Sequence, residues 1–217
     1  MRPNDGGFTG EGYSVRKIKS SVGKQFIREH HYSRSCHNGP MCYGMFDQEE
    51  TLIGVLAFAT PCSENVRSSV YGPERKSEVT ELHRLVILDG TKTNAESWFI
   101  SRALKLLKQD KPNYSAVVSF SDATEGHRGT IYQATNAIYQ GGTSKAWFYR
   151  DSEGRLRHPR QNGHNVTKDE AASLGWTRER REAKRRYLFL IGTPAERRKN
   201  RKSLVKPQFP YPSEDGQ

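Results

Sequence analysis

The stretch Val117–Gly142, VVSFSDATEGHRGTIYQATNAIYQGG, joins an apolar run to a polar turn and then to a second periodic run. Val117, Val118 and Phe120 have the β-branched and aromatic character of a buried strand. Ser121-Asp122-Ala123-Thr124-Glu125-Gly126-His127 interrupts it with turn residues, as expected where a chain emerges from a sheet. Ile131, Ala134, Thr135, Ile138 and Tyr139 recur at helical spacing, and Gly141-Gly142 is expected to end that helix. Asp122, His127 and Tyr132 are thereby gathered at the carboxyl end of a strand, where open α/β sheets place their ligands. Two readings stay open: a chemical site, or a turn capped by Asp122 with Tyr132 packed in the core.

Working outward, Tyr13–Lys19 reads as an edge strand, and Ser20-Ser21 as the cap of a helix running to about Arg28. His30-His31-Tyr32-Ser33-Arg34-Ser35-Cys36-His37 is dense in nitrogen, oxygen and sulfur ligands. Met41–Phe46 and Thr51–Ala59 form a hairpin over Asp47-Gln48-Glu49-Glu50. The second of these strands is nearly all apolar and therefore central. Pro61–Pro73 reads as a loop and Val79–Leu88 as a strand. The helix Asn94–Lys108, capped by Asn94, places Trp98, Ile100, Ala103, Leu104 and Leu107 on one face. Ala146–Tyr149 and Tyr187–Ile191 are late strands with a short helix, Lys168–Leu174, between them, and Leu204–Gln217 is an extended, Pro-containing tail. The order, β-α-β-β-β-α-β-α-β-β, predicts a mixed α/β sheet flanked by helices.

The 217 residues suit one domain with extensions: a flexible N-terminus over 1–12, a catalytic domain over 13–192 and a basic, Pro-containing tail over 193–217. No apolar stretch approaches the roughly 20 residues that span a bilayer and no signal-peptide pattern opens the chain, so a cytoplasmic protein with no membrane partner is expected. Cys36, Cys42 and Cys62 are too few and too irregular for a disulfide framework, and Cys36-His37 with Cys42 lacks the second close pair that a zinc site needs. The net charge of +11 is localised: Lys145–Lys206 holds 18 Lys and Arg against 7 Asp and Glu, while the rest carries 17 of each sign. A neutral body with a basic carboxyl-terminal third implies a polyanionic partner, of which nucleic acid is the commonest. Arg155, Arg157, Arg160, Arg180, Arg181, Arg185 and Arg186 are the candidate phosphate contacts.

The element order is that of the GNAT acyltransferase fold, and four motifs sharpen the match. His31-Tyr32-Ser33, Glu81-Leu82-His83-Arg84-Leu85, Asn94-Ala95-Glu96-Ser97-Trp98-Phe99 and Asp122…Gly126…Ile131-Tyr132-Gln133-Ala134 together resemble the Mom family of bacteriophage DNA-modification proteins, over about Tyr13–Ile191. The resemblance implies a GNAT-like fold and transfer of a methylcarbamoyl (acetamido) group to the exocyclic amine of adenine in DNA, which protects phage DNA from host restriction enzymes. For a phage-encoded protein the compartment would be the host cytoplasm. It implies His31, Tyr32, Arg84, Ser97, Asp122 and Tyr132 as active-site residues. It also brings iron into view, with His31, Tyr32, Asp122 and Tyr132 as nitrogen and oxygen donors; the same residues suit acid/base work or substrate contact.

One departure concerns the group donor. GNAT proteins that use acetyl-CoA carry a Gln/Arg-x-x-Gly-x-Gly/Ala turn before the central helix, whereas Asp89-Gly90-Thr91-Lys92-Thr93-Asn94 has a single, early Gly. Acetyl-CoA or another small-molecule donor therefore stays open. An adenine amine is weakly nucleophilic, so Asp122 as base, Tyr132 as proton donor or a metal would have to activate it or the transferred carbon. The amine lies in a base pair, so the enzyme must flip the base or act on single strands, and Tyr32, Tyr132, Trp147 and Tyr149 are candidates to stack on it. Competing readings are a conventional GNAT N-acyltransferase acting on a protein or small-molecule amine, and a non-catalytic DNA-binding protein on a GNAT fold.

Overall fold

Seven strands hydrogen-bond into one sheet in a computed structural model that describes residues 7–127, 129–161 and 164–212. Residues 1–6 and 213–217, the ends of the segments expected to be a flexible N-terminus and an extended tail, lie outside the described residues. In chain order the first half comprises β1 (Ser14–Ile18), α1 (Ser20–His30), β2 (Met41–Phe46), β3 (Leu52–Ala59), α2 (Glu64–Tyr71), β4 (Val79–Ile87) and α3 (Ala95–Asp110). After it come β5 (Ala116–Ser121), α4 (Thr130–Ala134), β6 (Ile138–Gly142), β7 (Ala146–Arg150), β8 (Leu156–Arg157), β9 (Arg160–Gln161) and β10 (His164–Asn165). The chain closes with α5 (Lys168–Ser173), β11 (Thr177–Arg181), β12 (Arg185–Leu190) and α6 (Pro194–Lys202).

The chain divides into two units. The larger comprises residues 1–120, 129–141 and 186–217; the smaller comprises 121–128 and 142–185. The larger is built on the sheet β1-β2-β3-β4-β5-β12-β6, in which β1 through β4 pair antiparallel and β4 pairs parallel with β5. This is the expected mixed α/β sheet flanked by helices. Its main core joins Tyr43, Met45, Leu56 and Phe58 from the hairpin to Phe99, Ile100, Ala103 and Leu107 of α3. The i, i+3, i+4 spacing of the α3 residues puts all four on one face, and their burial supplies the dominant favourable term for that helix. The smaller unit holds the sheet β11-β7-β8 and the pair β10-β9. Its helix α5 is opened by a capping box between Thr167 and Glu170.

Three expectations need correction. The helix expected from Thr130 to Tyr139 stops at Ala134, because Asn136 adopts φ +56° and the chain turns into strand β6. Asn tolerates the left-handed conformation that ends a helix, so it performs the task assigned to Gly141-Gly142. The Pro61–Pro73 loop contains helix α2, which buries Val70 and Tyr71; two apolar anchors are too few to announce a period. Helix α1 is preceded by Lys19, with Ser20 already helical and no side-chain cap. Within the basic tail Pro194–Lys202 is helical, started by a Thr193–Glu196 capping box. Beyond it the chain returns to the sheet edge, where Phe209 bridges Tyr139. Gly129 precedes α4 at φ +78°, and a Cβ there would fall 2.5 Å from the Tyr187 ring, so a side chain is excluded twice over.

Candidate active site

Two irregularities in the larger sheet position the candidate site. Parallel pairing of β4 with β5 ends at Leu82–Ser119, while β4 runs on to Ile87 and β5 to Ser121, so the strands part at their carboxyl ends. In the β3–β4 ladder Ala57 pairs with Arg84 and Phe58 with Leu82, which leaves His83 as an unpaired extra residue. Such a bulge re-aims side chains that strand alternation would send to opposite faces. Accordingly His83 and Arg84, neighbours in sequence, both line one open pocket of about 350 Å3 with Ser35, Cys36, His37 and Asn38.

Arg84 is a clamp in this pocket. Its Nε donates to the Ser35 carbonyl at 2.9 Å, one Nη to the His83 carbonyl at 2.7 Å and the other to Ser35 Oγ at 3.3 Å. Burial lowers its pKa, against the opposing influence of Tyr32, Cys36, Glu81 and Cys62. Beside it His37 Nε2 is 3.1 Å from Cys62 Sγ, and the His37 and His83 rings meet edge to face at 4.0 Å. Burial lowers the His83 pKa; Glu81, 3.7 Å from its Nδ1, opposes that shift.

His31 follows the last turn of α1, donates its backbone N–H to Ile27 and is buried. Its Nδ1 accepts the Ser33 backbone N–H at 3.1 Å and lies 2.9 Å from Ser33 Oγ. An Nδ1 that accepts leaves the proton of the neutral ring on Nε2, which is then a donor. The Tyr32 ring lies 4.3 Å from that of His31 and is 58% exposed. Tyr132 is its opposite: buried, packed against Tyr187 at 5.1 Å and Phe189 at 6.0 Å, its phenol pushed up to about 12 by burial, with Tyr32 and Glu81 adding to the shift and Ser119 opposing it. His31, Tyr32, Arg84 and Tyr132 thus all lie in the larger unit. Ser97, in the first turn of α3, donates to the Asn94 carbonyl at 2.9 Å, as a helix-opening Ser commonly does.

Asp122 belongs to the smaller unit. One carboxylate oxygen accepts the Thr124 N–H at 3.1 Å; the other lies 3.2 Å from Arg181 and 3.4 Å from Lys184. Burial would raise its pKa, but Lys184, Arg181 and the Thr124 N–H together hold it below the ordinary carboxylate value. Asp122 therefore caps a turn and Tyr132 packs in a core, whatever chemistry they also perform.

Residues 12–213 match the profile of the Mom protein family. The chain belongs to the Mom protein family. It is 29% identical over 148 residues to the methylcarbamoylase Mom of Escherichia phage Mu, a match covering 68% of this chain and 61% of that relative. Among solved structures it is similar to the spermidine N-acetyltransferase of Vibrio cholerae (TM-score 0.48, 13% identity, 83% of this chain and 94% of that one). A ribosomal-protein-S5-alanine acetyltransferase from Vibrio fischeri gives TM-score 0.49 at 11% identity, over 85% of this chain and 96% of that one.

Iron, which the Mom resemblance brought into view, does not fit the four residues expected to hold it. His31 Nδ1 accepts the Ser33 backbone N–H, so a metal on Nε2 would require the ring proton to move to Nδ1, towards Ser33 Oγ, with loss of that backbone bond. The Tyr132 phenol is held protonated, and the Asp122 charge is engaged by two cations. Among the described residues no group of three or more His, Cys, Asp or Glu is arranged to hold a metal ion.

The seven arginines expected to meet phosphate separate into distinct classes in this Mom-family chain. Arg155 and Arg157 each place Nε 2.8 Å from the same buried Asp151 carboxylate oxygen. Arg181 is buried on Asp122. Arg186 is buried in the larger unit, where its Nε donates to Gln140 at 3.0 Å and burial brings its pKa down to about 10. Arg185 is half-buried, while Arg160 and Arg180 are exposed. Sequence reasoning passed over Glu81, His83, His37 and Cys62 as site residues. The doublet His83-Arg84 inside a strand was visible, but only the bulge turns both members to one side.

Proposed function

We propose that this chain transfers a methylcarbamoyl group from a small-molecule donor to the exocyclic amine of adenine in DNA, in the cytoplasm of a phage-infected host, and so shields the DNA from restriction. The observation that carries the reading is the gathering of His31, Tyr32, Arg84 and Tyr132 in the unit where β4 and β5 part, in a Mom-family chain with a methylcarbamoylase as relative. A crevice outside the carboxyl ends of parallel strands is where α/β sheets bind ligands.

In this reading the His31 Nε2–H and the Tyr132 O–H donate hydrogen bonds to the oxygen or leaving group that gains negative charge, and burial, by raising the phenol to about 12, keeps the Tyr132 proton in place. Arg84 supplies positive charge and fixes the Ser33–Asn38 segment around the pocket. Tyr32, exposed, meets the incoming base. Ser97 contacts the donor at the opening of α3. Asp122, which the Mom resemblance adds to the set, is made a weak base by Lys184, Arg181 and the Thr124 N–H. The donor differs from acetyl-CoA in how it is held. The opening of α3 lacks a Gly-rich turn and is bounded by the N-terminal segment, with the Phe8 N–H on the Thr93 carbonyl at 2.9 Å and Phe8 against Trp98.

Expression in a bacterium followed by nucleoside digestion and mass spectrometry tests the proposal. Methylcarbamoyl-deoxyadenosine is the expected product. Acetyl-deoxyadenosine, which lacks one NH unit, would point to ordinary acyl transfer; unmodified DNA that still binds the protein would point to a non-catalytic binder.

A further inference from the structure

In the smaller unit the antiparallel register of β7 with β11 sets Trp147 opposite Arg180 and Tyr149 opposite Arg178. Residues directly opposite share a face, so the indole and both guanidiniums stand on the same side of that sheet. Arg178 Cζ lies 3.8 Å above the centre of the Trp147 ring and Arg180 Cζ 5.7 Å from it. Trp147 nevertheless remains 42% exposed, while Tyr149 on the same face is buried beside Trp176.

The charges around this face are unevenly satisfied. Asp151 is taken by Arg155 and Arg157, Glu179 by Arg150 and Arg181, Glu182 by Lys145 and Asp122 by Arg181 and Lys184. Among the described residues no acidic side chain pairs with Arg178 or Arg180, and both guanidiniums lie against the indole instead. An exposed indole at a strand position, flanked by two guanidiniums without carboxylates, meets two needs together. Its π surface suits a flat heterocycle, and the fixed positive charge suits an anion a few ångströms away. An unpaired nucleotide carries both, with its base and phosphate joined by one sugar.

We infer that Trp147, Arg178 and Arg180 form a stacking platform for an unpaired nucleotide of the DNA strand that is modified. The platform rests on the DNA-modification reading above and adds the strand state that the enzyme holds. A base in an intact duplex is stacked on its neighbours and cannot offer its face to the indole, so the platform binds single strands or a locally opened site.

The test uses the full chain and three probes, a short oligothymidylate, a strand of equal length made of abasic sites, and polyglutamate, with anisotropy read across a salt series. Wild type is expected to prefer the oligothymidylate over the abasic strand. Trp147→Ala should lose that preference and about 5- to 150-fold in affinity, the range for one stacked base, with an unchanged salt slope. Trp147→Phe should recover most of it. Arg178→Gln with Arg180→Gln should instead flatten the salt slope, by about 0.7 for each phosphate no longer neutralised. Equal affinity of wild type and Trp147→Ala for oligothymidylate, or wild-type binding to polyglutamate as tight as to DNA, overturns the platform. Digested DNA from the same expression strains keeps the two readings apart. Modification that survives Trp147→Ala at wild-type level leaves the enzyme reading standing and removes the platform, whereas Trp147-dependent strand binding by a protein that modifies nothing does the reverse.

Discussion

The Asp122 carboxylate holds the Arg181 guanidinium at 3.2 Å, and both side chains are almost closed to solvent. One ion pair therefore joins a residue expected to act as a base to a residue expected to bind phosphate. Each is engaged by the other, because a charge this deeply placed is costly without a partner.

Asp122→Asn should lower the stability of the smaller unit by about 1–3 kcal/mol, since the buried Arg181 guanidinium loses the carboxylate 3.2 Å from it. The folded-state pKa of Asp122 is depressed, so its contribution is complete above the unfolded value near 3.8 and is lost as pH falls through the folded one. Urea denaturation from about pH 6 to about pH 2 should show that acid limb in the wild type and a reduced one in the variant. Identical limbs would mean that the ion pair contributes nothing.

Tyr132→Phe keeps the packing against Tyr187 and Phe189 and removes one hydroxyl. Modification should fall by about 10²–10⁴-fold if the phenol donates a proton in the reaction. The raised phenol also links stability to alkaline pH: its contribution is complete below 10 and is lost as pH rises toward about 12, a limb that the Phe variant should lack. Unchanged modification would reduce Tyr132 to a core residue.

Asp151 accepts the Glu153 and Arg155 backbone N–H groups as well as the Arg155 and Arg157 side chains. Asp151→Asn should loosen the turn between β7 and β8, visible as faster amide exchange at Glu153 and Arg155. It should also strengthen DNA binding at low salt and steepen the salt slope, because Arg157 and Arg155 both lose the Asp151 carboxylate, Arg155 retaining Glu153. Weaker DNA binding in the variant would contradict this account.

Arg186 and Arg180 should behave oppositely although both were expected to contact phosphate. Arg186→Gln removes a buried guanidinium bonded to Gln140 and Val66, so it should lower the melting temperature and leave the salt slope unchanged. Arg180→Gln, on the exposed face of β11, should leave stability within about 0.5 kcal/mol of wild type and flatten the slope. A flattened slope in the folded Arg186 variant would return that residue to the interface.

The sequence alone determined the fold class, the order of most elements and the family. The unbroken apolar run Leu52–Ala59 and the apolar face of α3 are local patterns that report burial directly. The motifs His31-Tyr32-Ser33 and Glu81–Leu85 survive as written text. Where a pattern was ambiguous, only tertiary structure decided. Ile138 and Tyr139 fit a helical period and a strand equally, and Asn136 together with an open sheet edge made them a strand. Composition counted every arginine of the basic third as available, yet charge in a sequence says nothing about its partners. Asp122, Asp151 and Gln140 had to come within hydrogen-bond reach before Arg181, Arg155, Arg157 and Arg186 could be set apart from Arg178 and Arg180. The bulge at His83 was invisible for the same reason: it exists only as a mismatch between two paired strands, and that mismatch turns two adjacent side chains into one pocket.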